Sequence, residues 1–508
     1  MRGVIVINFG GQYAHLITRR IRDIGVYAEI VPYTKASKEF VEGMRPSALI
    51  LSGGPSSVYE PGAPSIGEWV LDLDIPVLGI CYGFQLLAKM MGGEVERSKG
   101  EYGPTRIRVL ERRGLFEGWD DEELVWMSHS DHVTSPPTDT VVTAISENEY
   151  VAAFRHLTKP IFGVQFHPEV RHTPKGRLLL ENFSIKLARS ERSWSPERML
   201  SIIEDYLRKE LRDCKSILSA VSGGIDSTVA TVLVSRFARD RVTAVFVNHG
   251  LLRKGEPEEV LDLLRGLGID PVYVDASQEF LEALKGVEGC EDKRRVIGEL
   301  FIKVFSHALK GREFDCLVQG TLYPDVIESG GEVGADRIKS HHNVAGLPGW
   351  LNAKVVEPLK YLYKDEVRKL ARHLGLPERL VERHPFPGPG LAVRIIGEVT
   401  EEKLRIAREA SAIVEDVLRE RGYYSEAWQA FAVVGDDKWV GVKGDARVDG
   451  YIVTVRVVES EDAMTADWLR LPPDVLEEIS KRITSELPKV TMVTYAVTTK
   501  PPSTIEPC

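Results

Sequence analysis

Three short stretches of this chain gather residue types that do chemistry. Ile217 to Val221 is an apolar run that breaks into Ser222-Gly223-Gly224-Ile225-Asp226-Ser227, and Thr228 then opens a second apolar segment, 228–237. Strand, small hydroxyl-rich turn and helix in that order bring backbone N–H groups together at a helix N-terminus, a setting suited to phosphate. Asp226 adds a carboxylate that can hold a divalent cation bridging phosphates. The turn is neither a Walker loop nor a dinucleotide Gly-x-Gly-x-x-Gly turn, and a plain tight turn ahead of a helix is the competing reading.

The second stretch is Gly79-Ile80-Cys81-Tyr82-Gly83-Phe84-Gln85, which ends the strand 76–80 and leads into Leu86-Leu87-Ala88-Lys89-Met90. A cysteine at a sharp strand-to-helix turn presents its sulfur above the sheet edge, where the helix N-terminus favours the thiolate. Upstream, Ser52-Gly53-Gly54-Pro55 follows another strand and offers N–H donors to a developing oxyanion. The third stretch, His167-Pro168-Glu169, follows a strand at 161–166. Its imidazole can take the cysteine proton, and the carboxylate two residues on can hold the useful tautomer. Taken singly, the two pieces have structural alternatives, a core cysteine and a surface His-Pro turn.

These groups need strands that end on a common edge. Strands at 4–7, 26–31, 48–51 and 76–80, with helical periodicity at 15–24, predict a mostly parallel α/β sheet for residues 1–190. Polar sequence with Trp and Pro at 190–196 reads as a linker, and 197–214 as an amphipathic helix. Strands at 242–247, 271–274 and 316–318, with helices at 256–267 and 294–309, predict a second α/β domain, 197–385. A nucleotide would lie in the crevice at its strand C-termini. Pro385 to Pro389 is a rigid exit into a small α+β domain, 386–508, with helices at 401–421 and 475–487 and strands at 430–434, 451–458 and 490–497.

The whole chain bounds the class. Its 508 residues exceed one core, and 43% apolar with 28% charged residues is ordinary for a soluble globular protein. A formal charge of −10 argues against a stable nucleic-acid partner, and no 18-residue apolar run exists to span a membrane. Cys81, Cys214, Cys290, Cys316 and Cys508 show neither zinc spacing nor a disulfide framework, which predicts a reducing, cytoplasmic setting.

Cys81-Tyr82-Gly83-Phe84-Gln85 with His167-Pro168-Glu169 resembles the class I glutamine amidotransferases. That resemblance implies a triad of Cys81, His167 and Glu169 releasing ammonia from glutamine, oxyanion-hole amides from Gly54 and Tyr82, and substrate binding by Gln85. Ser222 to Ser227 resembles the pyrophosphatase loop of the N-type ATP pyrophosphatases, of adenine-nucleotide α-hydrolase-like fold. It implies that Ser222, Gly223, Gly224, Ile225, Asp226, Ser227 and Thr228 bind ATP and its departing pyrophosphate, with Asp226 on Mg²⁺. With Gly320 to Ser329, Ile338 to Val344, Glu357-Pro358-Leu359 and His384 to Leu391, the chain is similar to the GMP synthase family. The resemblance implies adenylation of XMP by ATP, then attack of ammonia to give GMP, AMP and pyrophosphate. It further implies lid and phosphate contacts from Lys339, His341 and His342, XMP contacts from Lys500, Ile505 and Glu506, and a homodimer joined by the last domain. Adjacent histidines on an extended chain point apart, which argues against metal ligation by His341 and His342. The same two active domains acting on another nucleotide, or on a tRNA, is the alternative.

Several positions depart from that family's pattern. Asn8 and Gly11 stand in the first loop where the family has Asp and Ser. Ser130 replaces Gly in Ser128-His129-Ser130-Asp131, harmless if the backbone there has negative φ and straining if not. Asn248 and His249 replace Asp and Asn, and the ending is Ile505-Glu506-Pro507-Cys508 in place of Ile-Glu-Trp-Glu.

Overall fold

The computed structural model describes residues 3–328, 353–460 and 465–508, and they divide into two units at Arg198/Met199. The first unit is built on one nine-stranded sheet: β1 (Val4–Asn8), β2 (Ala28–Pro32), β3 (Ala48–Leu51), β4 (Val77–Ile80), β5 (Glu94–Val109), β6 (Glu122–Ser135), β7 (Thr140–Ser146), β8 (Val151–His156) and β9 (Ile161–Val164). Its order is β2-β1-β3-β4-β9-β8-β7-β5-β6. The first five in that order run parallel, as the continuous apolar runs predict for strands covered on both faces. β9 then turns the sheet antiparallel through β8. The antiparallel half, 94–156, is the part the sequence pattern concealed. β5 and β6 pair with register shifts at Glu94/Val95 and Arg97/Glu101, and each shift breaks the period-two alternation by which a strand is recognised.

The segment expected as a linker is packed down. Trp194 is buried, its ring 5.2 Å from that of Tyr27, and the Arg22 guanidinium lies 4.8 Å from its centre.

In the second unit β10 (Ile217–Val221), β11 (Val242–Asn248), β12 (Val272–Asp275), β13 (Cys316–Val318) and β14 (Lys354–Val356) form an all-parallel sheet of order β12-β11-β10-β13-β14. The order reverses between β10 and β13, which is where such sheets open a crevice at their carboxyl ends. The helix Ile225–Ala238 is apolar nearly all round, with Val229, Leu233 and Val234 fully buried, as a helix clamped between layers requires. It begins three residues earlier than its apolar run suggests, capped by Gly224.

The C-terminal part of this unit pairs β15 (Gln429–Lys443) with β16 (Ala446–Glu459) antiparallel, and adds β17 (Asp467–Trp468) and β18 (Val490–Tyr495) to β16. The helix Glu401–Glu420, capped by Thr400, buries a stripe including Ala407, Val414 and Leu418 against that sheet. One apolar cluster runs from Leu218 and Val245 through Leu391 and Ile406 to Val453 and Ile479.

Contrary to the reading of scattered, unpaired cysteines, two disulfides join Cys214 to Cys316 and Cys290 to Cys508. Partners 102 and 218 residues apart leave no local spacing to recognise. Parallel pairing of β10 with β13 is what brings the first pair together. Closing a loop of this length removes about 5 kcal/mol of unfolded-state entropy. Disulfides also persist inside some hyperthermophile cells, so cysteine usage in this chain carries no reading of compartment. No described helix is long and apolar enough to cross a membrane.

Candidate active sites

Cys81 sits between the end of β4 and the helix Tyr82–Met90, with φ 52° and ψ −105°. A non-glycine residue held at positive φ is strained, and here the surroundings fix it: its N–H donates to the Val164 carbonyl and its carbonyl accepts from the Gln85 N–H. Gly83 lets the helix begin this close to the sheet, since a Cβ there would lie 2.3 Å from the Leu51 carbonyl oxygen. The loops after β3 and β9 meet the cysteine. A Cβ at Gly53 would be 3.3 Å from His167 Cε1 and 3.7 Å from Cys81 Cβ, which places both residues against that glycine. A Cβ on Gly54 would be 3.2 Å from Tyr82 Cγ.

His167 is buried, and its Nδ1 lies 2.7 Å from Glu169 Oε1. Its carbonyl accepts from Thr173 Oγ1 at 2.7 Å, and the Tyr13 ring meets it edge-on at 5.0 Å. Burial works against the charged ring, but the Glu169 carboxylate and the Cys81 sulfur outweigh it and hold the imidazole well above its ordinary value. A protonated imidazole beside sulfur favours thiolate, and Nδ1 bound to the carboxylate leaves Nε2 for proton transfer. The structure therefore brings together Cys81, His167, Glu169, Gly54, Tyr82 and Gln85.

Glu101, absent from the sequence reading, supports the turn opposite the thiol through His129. Cys81 Sγ donates to the Ser128 carbonyl at 3.7 Å, and Gln85 Nε2 donates to the Asp131 carbonyl at 2.8 Å and to Gln165 Oε1 at 3.1 Å. His129 ties that turn from behind, Nδ1 lying 2.8 Å from the Asp131 carbonyl and Nε2 3.1 Å from Glu101 Oε2. Burial works against the Glu101 charge, but donors on His129, Asn148 and Ser146 outweigh it and hold its carboxyl below the usual range. Glu101↔His129 is a cross-strand pair created by the register shift in β5, which is why no motif announced it. Ser130 is not among the positive-φ residues, so serine fits there without strain. Glu101→Gln is expected to lower kcat/KM for glutamine about ten- to a hundredfold while ammonium-supported turnover stays unchanged. Steady-state kinetics with both nitrogen donors checks this, and an unchanged glutamine reaction would show the turn needs no such support.

In the second unit the loop after β10 is a closed ring of small groups. Ser227 Oγ accepts from the Ser222 N–H at 3.1 Å, lies 3.0 Å from Ser222 Oγ, and donates to the Gly224 carbonyl at 3.1 Å. Thr228 Oγ1 also donates to the Gly224 carbonyl, at 2.9 Å. Ile225 is buried at the start of the helix, and Gly223 has φ +84°. The loop after β13 comes up against it: a Cβ on Gly320 would be 3.3 Å from Ser227 N, a close approach that keeps the crevice lined by backbone. Asp226 pairs through Oδ2 with Lys364, at the start of the helix Lys364–His373. Its other oxygen, Oδ1, is buried with no hydrogen-bond partner among the described residues. A buried acceptor left open beside a phosphate-sized loop fits a divalent cation.

Two further residues missed in the sequence brace this loop. Arg383 contacts the Gly223 carbonyl at 3.5 Å, Glu256 Oε1 at 3.2 Å and Glu259 Oε2 at 2.6 Å. Glu256 is buried and also accepts from the Arg253 N–H at 3.0 Å. Asn248 turns inward on its own loop, accepting from the Gly250 N–H at 3.0 Å. Asp325 caps its helix by accepting from the Leu322 N–H at 3.0 Å. Lys339, His341 and His342 lie outside the described residues.

Lys500, Ile505 and Glu506 fall in a tail that is docked on the C-terminal sheet. The Lys500 N–H donates to the Ala466 carbonyl at 2.8 Å, and Ile505 is buried among Phe431, Val433, Val458 and Ala466. Glu506 accepts from Arg394 through both oxygens, at 2.9 and 3.1 Å, and from Gln429 at 3.0 Å.

Residues 5–187 match the family model for glutamine amidotransferase class-I, and residues 416–507 match that for the GMP synthase C terminal domain. The fold and the Cys-His-Glu geometry define the first unit as a class I glutamine amidotransferase. Over its whole length the chain is 60% identical to "GMP synthase [glutamine-hydrolyzing]" of Pyrobaculum aerophilum, covering 100% of both sequences. It is 50% identical to that of Aeropyrum pernix, covering 99% of this chain and 98% of the relative, and 48% identical to that of Aquifex aeolicus, covering 99% of each. The chain belongs to the family of glutamine-hydrolysing GMP synthases.

Proposed function

We propose that the two centres divide one reaction between them. The enzyme aminates XMP to GMP with nitrogen from glutamine, by way of an adenyl-XMP intermediate, while ATP is cleaved to AMP and pyrophosphate. In the first unit the Cys81 thiolate attacks the glutamine carboxamide, and N–H groups at Gly54 and Tyr82 receive the oxyanion. His167, oriented by Glu169, passes the proton to the leaving nitrogen, and ammonia departs. Water then releases glutamate from the sulfur. Gln85 holds the substrate beside the thiol.

In the second unit Ser222 to Thr228 hold the ATP phosphates, and the XMP base oxygen displaces pyrophosphate from the α-phosphorus. Ammonia then adds to the activated carbon, and AMP leaves. Mg²⁺, bound through Asp226, would neutralise phosphate charge as pyrophosphate departs. Lys339, His341 and His342 are assigned to the lid, and Lys500, Ile505 and Glu506 to XMP. The chain is read as three domains, 1–190, 197–385 and 386–508, acting as a cytoplasmic homodimer through the last. Both centres on one chain turn a dilute ammonia encounter into local delivery.

The observation that carries this reading is the position of the Ser222–Thr228 loop at the reversal of a parallel sheet, with the open Asp226 oxygen inside it. AMP and pyrophosphate are expected in equal amounts with XMP as acceptor, scored by chromatography of a reaction holding ATP, Mg²⁺ and glutamine. Formation of ADP, or equal turnover with another nucleotide or a tRNA, would overturn it.

A further inference from the structure

Cys508 is bonded to Cys290, the first residue of the helix Cys290–Ala308. The next turn of that helix serves the same region. Arg294 donates to the Cys508 carbonyl. Lys293 is fully buried and donates to the Ile395 carbonyl at 2.6 Å, just beyond the turn Gly390–Arg394. Arg394 on that turn grips Glu506, and its guanidinium is sandwiched between Phe431 at 4.2 Å and Phe386 at 4.9 Å. Arg456 donates to the Thr504 carbonyl at 3.2 Å. The tail is thus held at 504, 505, 506 and 508, and one of those holds is covalent.

We propose that the Cys290–Cys508 disulfide is a positioning device for XMP binding, fixing the tail that bears Ile505 and Glu506 in its binding geometry before the nucleotide arrives. The inference rests on the assignment of that tail to XMP. A free terminus loses conformational freedom when it closes on a ligand, and a bond made beforehand removes that cost from the binding step.

The test uses the full-length enzyme. Non-reducing peptide mapping is expected to recover Cys290 linked to Cys508. Cys508→Ser, Cys290→Ser and the double variant should each raise KM for XMP about tenfold, with kcat at saturating XMP, KM for ATP and the glutaminase rate unchanged. The three should agree, because each breaks the same bond. A general loss of structure would instead move all four constants. Glu506→Gln is the companion measurement. If it raises KM for XMP while the cysteine variants do not, the disulfide inference fails and the tail assignment stands. If neither changes KM for XMP, both fail.

Discussion

Cys81→Ala is expected to lower GMP formation from glutamine by about 10⁴-fold or more while leaving formation from ammonium salts at the wild-type rate. The expectation follows from what the side chain touches. Its sulfur bonds the Ser128 carbonyl, the residue lies with His167 against Gly53, and all of these belong to the first unit. Alanine keeps Cβ, so the strained turn at φ 52° and the two backbone hydrogen bonds that hold it remain. What disappears is the atom that forms the acyl intermediate. Ammonium supplies the same nucleophile without that intermediate, and the loop around Asp226 has no use for the thiol. Paired assays with the two donors, scored for GMP, decide the matter. Equal loss with both would mean that Cys81 supports the synthetase chemistry as well, and the division of labour would be wrong.

How far the sequence disclosed all this depends on the kind of signal each part leaves. The parallel strands β1, β3, β4 and β10 were legible because burial on both faces makes them short continuous apolar runs ended by glycine and hydroxyl residues. The reactive residues were legible for a related reason. Cys81, His167 and Asp226 follow the strands β4, β9 and β10 within a few residues, in the turn or the first helical turn that must present them. Glu101 was invisible because its partner His129 is 28 residues away and set opposite it by a register shift. Arg383 and Glu256 were invisible because they meet through packing over 127 residues of chain. Cys290 and Cys508, 218 residues apart, showed no disulfide framework, and only the fold brings them together. Local chemistry writes itself into local sequence, whereas bracing between distant elements does not.

Asp226 offers the sharpest test of the second centre, since two roles for it can be separated. Its Oδ2 is paired with Lys364, and its Oδ1 is buried with no partner among the described residues. A purely structural carboxylate would have little reason to leave one oxygen open, because an unsatisfied buried acceptor costs about 1–3 kcal/mol. An oxygen kept for a cation bound with ATP recovers that cost when the substrate arrives. Asp226→Asn, which preserves shape and removes charge, is therefore expected to slow turnover about 10²–10³-fold with glutamine and ammonium alike and to raise the Mg²⁺ concentration needed for half-maximal rate. Lys364→Met removes only the ion pair. If pairing were the whole role, the two variants would slow the enzyme equally, their effects would not add, and the Mg²⁺ requirement would stay where it was. Release of pyrophosphate, followed against Mg²⁺ with ammonium as donor, separates the cases. Wild-type release from Asp226→Asn would remove the carboxylate from the metal site altogether.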